Sequence, residues 1–124
     1  MNLDYLLIII WLHFFADFLF QYDRMAIEKG HNWKYLFFHG EIYTATFLLF
    51  NPIYAVVNGI LHIVVDFATS KLITYFSTNN QRHWFFVTIG MDQAIHFTCL
   101  IMSFFILNII YPNIQWLFFL KYFG

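Results

Sequence analysis

The sequence predicts an all-α membrane protein, an up-down four-helix transmembrane bundle with a short interfacial C-terminal segment, forming one domain over residues 1–124. Three observations predict it. The chain is 61% hydrophobic and 24% aromatic, with 10% charged residues, where an ordinary soluble domain carries about 25% charged residues. A chain of 124 residues cannot hide that much apolar surface from water. Four apolar runs are long enough to cross a bilayer, and the few ionisable residues inside them recur at helical spacing.

The first span is expected over about residues 3–22, with no proline or glycine inside it. Met1-Asn2-Leu3-Asp4 lacks the basic start of a signal peptide, so this span is expected to be retained. A polar loop follows through Arg24, Glu28, Lys29, Gly30, His31 and Asn32. The second span is expected over about residues 33–50, where Asn51-Pro52 forces a turn because proline cannot continue the preceding helix. The third is expected over about 53–76, followed by the polar loop Ser77 to Arg82, and the fourth over about 84–111, stopped by Tyr111-Pro112-Asn113. The tail from Ile114 to Gly124 is apolar but too short to span; Trp116, Lys121 and Tyr122 suit an interface.

Arg24, Lys29, Lys34, Lys71 and Arg82 all fall on one side of such a bundle, and Lys121 on the other. The positive-inside rule then places loops 23–32 and 77–83 in the cytoplasm of a bacterial-type inner membrane, with both termini outside. A net charge of −1 argues against nucleic acid as a partner, and the lone Cys99 excludes an internal disulfide. The expected partners are the lipid bilayer and a lipid or amphipathic substrate; the class also accommodates a homo-oligomer.

Function is concentrated in three pairs. His13 and Asp17, His62 and Asp66, and Asp92 and His96 each stand four residues apart, one helical turn, and so share a helix face. With a rise of about 1.5 Å per residue, His13 and His62 lie roughly 15 Å below the outer surface and Asp17 and Asp66 roughly 20 Å. The fourth span runs the other way and its pair is reversed, so every Asp falls on the cytoplasmic side of its His. His39 enters the same slab from the second span. Isolated polar residues in spans serve as interhelical glue worth about 0.6–2 kcal/mol. Three pairs with matched polarity point instead to a site, since ionisable groups at membrane depth are costly.

Imidazole with carboxylate is the usual first shell of zinc, iron and manganese. The expected ligands are His13, Asp17, His39, His62, Asp66, Asp92 and His96, with a divalent metal, zinc first and iron or manganese as alternatives. Such a metal can activate water for hydrolysis. Asp17, Asp66 or Glu41 would act catalytically, and Gln21, Ser70 and Gln93 would orient the substrate. Two other functions use the same residues: a proton- or cation-linked transporter or channel, with Asn58 and Ser103 on the outer half of the path, and haem ligation by paired histidines.

The residues His13-x-x-x-Asp17-Phe18-x-x-Gln21-x-Asp23, Lys29, Trp33, His39, His62-x-x-x-Asp66-x-x-x-Ser70-Lys71 and Asp92-Gln93-x-x-His96 resemble the pattern of a family of small bacterial and phage membrane proteins known as a domain of unknown function. The resemblance covers nearly the whole chain. It implies a four-helix membrane fold and makes these positions the family motif; it implies no activity.

Overall fold

The computed structural model describes residues 1–117. Among them there are helices and no strands: α1 (Leu3–Phe14), a π-helical turn (Phe15–Leu19), α2 (Asp23–Glu28), α3 (Trp33–Phe47), α4 (Pro52–Thr78) and α5 (Arg82–Ile110). The caps follow the sequence. Asn2, Asn32 and Asn51 sit before α1, α3 and α4, and each side chain accepts a hydrogen bond from a first-turn backbone N–H. Pro52 opens α4, where its missing N–H costs nothing.

Two of the four expected spans are long and apolar enough to cross a membrane: α4, with 27 residues, and α5, with 29. The other two are shorter than the sequence suggested. α3 has 15 residues, about 22 Å of helix against a bilayer core of about 30 Å. It stops at Phe47 because Phe50 N and Asn51 N both turn back to the Phe47 carbonyl, which frees Asn51 to cap α4. In the first segment, α1 gives way to the π turn after Phe14, and Tyr22 is already extended. The expected loop after it contains α2, pinned by the fully buried Met25.

α4 is the central strut, packed on α3 and α5. Cross-helix contacts fix the directions. His39 meets Asp17 and Tyr43 meets His13, so α3 runs against α1. Asn58 meets Ser103 and Thr69 meets Asp92, so α5 runs against α4. α3 and α4 approach closely at Gly59, where an added Cβ would fall 1.8 Å from Thr44 Oγ1.

The burial pattern is inverted relative to a water-soluble fold. Fully or nearly buried are His13, Asp17, His39, His62, Asp66, Asp92 and His96, while Trp11, Phe18, Phe37, Val64, Phe86 and Ile109 are exposed. The apolar core gathers at one end, where Tyr5, Phe50, Tyr54 and Phe104 pack together. The chain after α5 closes this end. Trp116 stacks on Phe104 at 4.4 Å and Asn51 Nδ2 donates to the Gln115 carbonyl. Trp116 is thus half-buried against protein, where the sequence suggested an interfacial anchor; Lys121 and Tyr122 lie outside the described residues.

Candidate metal centre

The four long segments deliver seven ionisable side chains to one buried cluster. Asp17 comes from the π turn, which carries one extra residue per turn; Phe20 N reaches back to Phe15 O at 2.9 Å. Such turns recur at functional sites because they redirect a side chain without ending the helix. His39 comes from α3, His62 and Asp66 from α4, Asp92 and His96 from α5.

Four atoms, one each from Asp17, His39, His62 and Asp66, lie within 4.8 Å of one another. His39 Nε2 is 2.9 Å from both Asp17 Oδ1 and His62 Nε2. Asp66 Oδ2 is 3.4 Å from His39 Nε2 and 3.3 Å from His62 Nε2, and His62 Nε2 is 3.3 Å from Asp17 Oδ1. A tetrahedral ion with ligands at about 2.0–2.1 Å has edges of about 3.3–3.4 Å; three of these separations match that spacing, and the two from His39 Nε2, at 2.9 Å, are shorter. Hydrogen bonds alone do not satisfy the group. Two imidazole nitrogens and two carboxylate oxygens converge on one point, and the Nδ1 atoms of His39 and His62 are buried without a partner.

The neighbours fix the donors in place. The His62 ring is sandwiched between Tyr43, at 3.8 Å, and His96, at 4.1 Å. His96 Nε2 meets Asp66 Oδ1 at 3.1 Å and Asp92 Oδ1 at 3.2 Å. Thr69 Oγ1 donates to Asp92 Oδ1. Lys29 Nζ donates to Asp66 Oδ2 at 2.9 Å. Burial opposes the Lys29 charge, but the carboxylates of Asp66, Asp17 and Asp92 outweigh it and hold its pKa above the ordinary lysine range.

His13 plays a different part from the one its sequence position suggested. Both its ring nitrogens are spent: Nδ1 on the Tyr43 hydroxyl at 2.9 Å and Nε2 on Gln93 Oε1 at 2.7 Å. Because Gln93 Oε1 accepts, His13 Nε2 carries the proton and Nδ1 accepts from Tyr43. Gln93 Nε2 then donates to Asp17 Oδ2 and Asp92 Oδ2 at 3.0 and 3.1 Å. His13 therefore orients carboxylates through Gln93, and it stands outside both groups whose ligand atoms lie within 4.8 Å of one another.

Gln21, Ser70 and Gln93 line a cavity of about 170 Å³ beside the cluster, with Asp17, Lys29 and Asp92 in its wall. Glu41 is not brought to the cluster. It is exposed in a groove between α3 and α4 lined by Phe37, Thr44, Ala45 and Ile60. Tyr43 and Thr69 were not picked out by sequence reasoning, and Lys29 stood only in the family pattern, with no role at the site. The signal for Lys29 was its neighbour Gly30, which is buried against α4; a Cβ there would lie 2.9 Å from Thr74 Oγ1 and 3.0 Å from the Ser70 carbonyl. A loop that must touch a helix backbone carries its lysine inward with it.

No curated protein and no solved structure matches the chain. A family model described as a protein of unknown function, DUF3307, matches residues 5–122, which takes in every residue of the cluster. The chain belongs to the DUF3307 family.

Proposed function

We propose that the protein is an integral membrane metalloprotein whose centre holds one divalent ion, zinc first, between Asp17, His39, His62 and Asp66. The observation that carries this reading is the convergence of four lone-pair donors within 4.8 Å of one another at one buried point, three of their separations at the tetrahedral edge of about 3.3–3.4 Å. Charge supports it. With neutral imidazoles, one divalent ion and the Lys29 ammonium together match the three buried carboxylates, Asp17, Asp66 and Asp92; unmatched, those charges would be costly to bury.

The inverted burial supports membrane insertion. Apolar side chains cover the outside of α4 and α5 while the ionisable groups turn inward. In this reading α1 with its π turn, α3, α4 and α5 form a four-helix transmembrane bundle. The shorter segments reach across where polar ends and local thinning shorten the path. Loops 23–32 and 77–83 face the cytoplasm, although Lys29 is committed to Asp66 and adds nothing to the free positive charge there.

The activity this arrangement supports is metal-dependent hydrolysis of a lipid or other amphipathic substrate. A divalent ion held there would supply Lewis acidity and a more acidic water only by taking an exogenous fifth ligand beside its four protein donors. The chain supplies the rest. Asp92 in the cavity wall accepts a proton, and Gln21, Ser70 and Gln93 orient polar groups of the substrate. The cation-transport reading has less behind it. Beyond the cluster, Asn58 and Ser103 spend their hydrogen bonds on each other and on backbone carbonyls.

The test is the metal content of detergent-purified protein in oxyanion-free buffer. One equivalent of zinc per chain is expected, lost in His62→Ala and Asp66→Asn. Protein that binds no divalent ion in chelator competition overturns the reading.

A further inference from the structure

We propose that Asp17, Asp92 and His96 form a second, exchangeable cation position that shares Asp17 with the four-residue centre and is filled together with a phosphate-type oxyanion from the cavity. The proposal rests on the metal reading above and extends it.

One ligand atom from each of the three residues lies within 4.8 Å of the others. Asp17 is placed to serve both positions. Its Oδ1 faces His39 and His62, while its Oδ2 faces Gln93. The Gln93 amide clamps Asp17 and Asp92 side by side, and Thr69 fixes the other Asp92 oxygen. The two positions differ in access. Two of the three residues of the second position, Asp17 and Asp92, stand in the wall of the cavity, with His96 behind them; of the four-residue centre only the shared Asp17 does. Four protein ligands make a closed site, and three leave a place for an exogenous ligand.

The charge balance names that ligand. The first ion with Lys29 already matches the buried carboxylates, so a second divalent ion brings two charges with no protein counterion. It must arrive with a dianion. The cavity offers the Lys29 ammonium and the Ser70 hydroxyl as donors to such a group. The Gln21 amide oxygen in the same wall is buried without a partner, so that side chain is free to turn toward an incoming ligand. A phosphate monoester meets these demands, either as a free phosphate or as a lipid headgroup.

The experiment counts manganese bound to the metal-stripped, detergent-purified protein, alone, with inorganic phosphate, and with phosphatidic acid. One ion per chain is expected without oxyanion and two with it. A second ion in the phosphatidic acid arm only assigns the oxyanion to a lipid headgroup; a second ion in both arms assigns it to phosphate in general. Asp92→Asn is expected to bind one ion in every arm. The electron paramagnetic spectrum of the two-ion form, which needs no variant, is expected to show exchange coupling through the shared Asp17 carboxylate. One ion in all arms, or two uncoupled ions, overturns the second position and leaves the four-residue centre standing. No ion in any arm overturns both.

Discussion

Lys29 Nζ and Asp66 Oδ2 lie 2.9 Å apart, although one residue follows the short α2 and the other sits in the middle of α4. The contact ties the loop between α2 and α3 to the buried cluster. It involves the same carboxylate oxygen that faces His39 and His62. Removing one partner of such a buried pair costs about 3–5 kcal/mol. Lys29→Met is expected to lower stability by that order, read as thermal unfolding in detergent. The pH dependence has a definite sign. The folded-state pKa of Lys29 is raised, so its contribution is full below the unfolded lysine value and is lost only as pH rises through the folded one. The gap between wild type and Lys29→Met is expected to stay constant around neutrality and to close only in strong alkali. A gap that closes near neutral pH contradicts the pairing.

His62 and His13 are expected to separate in their metal behaviour. His62→Ala removes a donor from the four-residue centre and is expected to abolish stoichiometric zinc. His13→Asn removes no donor of that centre but the partner of Gln93 and of the Tyr43 hydroxyl. It is expected to keep the stoichiometry while weakening affinity about 10–100-fold, the usual effect of losing an orienting partner. Chelator competition on both variants distinguishes them, and equal loss in both contradicts the assignment.

Much of this site was legible in the sequence because one helical turn is a strong constraint. The four-residue spacing of His13 and Asp17, of His62 and Asp66, and of Asp92 and His96 placed each pair on one face, and the reversal in the last pair matched an antiparallel helix. Those six residues do meet, with His39 among them. What periodicity cannot carry was missed. Lys29 comes from a loop and has no period. Tyr43 is one aromatic among many until its ring lies on His62. The end of α3 depends on Asn51 capping the next helix, while the apolar Leu48, Leu49 and Phe50 read as more of the same span. Spacing also says nothing of which atom already has a partner, and the partners of His13, Tyr43 and Gln93, were not legible from it.

Gly59 tests the approach of α3 to α4. The Thr44 hydroxyl that a side chain at residue 59 would strike is held to the Gly40 carbonyl at 2.9 Å and cannot simply swing away. Gly59→Val is expected to destabilise by about 1–3 kcal/mol through overpacking. By separating His39 from His62 it is also expected to weaken zinc binding. An unchanged melting temperature together with unchanged affinity contradicts the close packing.

Glu41 supplies the control. It is exposed in the α3–α4 groove. Glu41→Gln is expected to leave zinc stoichiometry unchanged and to alter stability by less than about 0.5 kcal/mol. A loss of metal in this variant would move the centre away from the cluster described above.

The π turn at Phe15–Leu19 makes the register of the first helix indispensable. Wound as an unbroken α-helix, the same residues between Phe14 and Phe20 would leave the two halves rotated by about 100° from their present relation. Tyr5 and Ile9, seated in the aromatic end, and Asp17, seated among the imidazoles, could then no longer both dock. The surplus residue acts as a phase shift that lets one helix serve a greasy lid and an ionic heart at once. A further single-residue insertion here is therefore predicted to be far more damaging than substitutions at the outward-facing Phe14 and Phe18, whereas a deletion that removes the surplus residue keeps the two halves in phase.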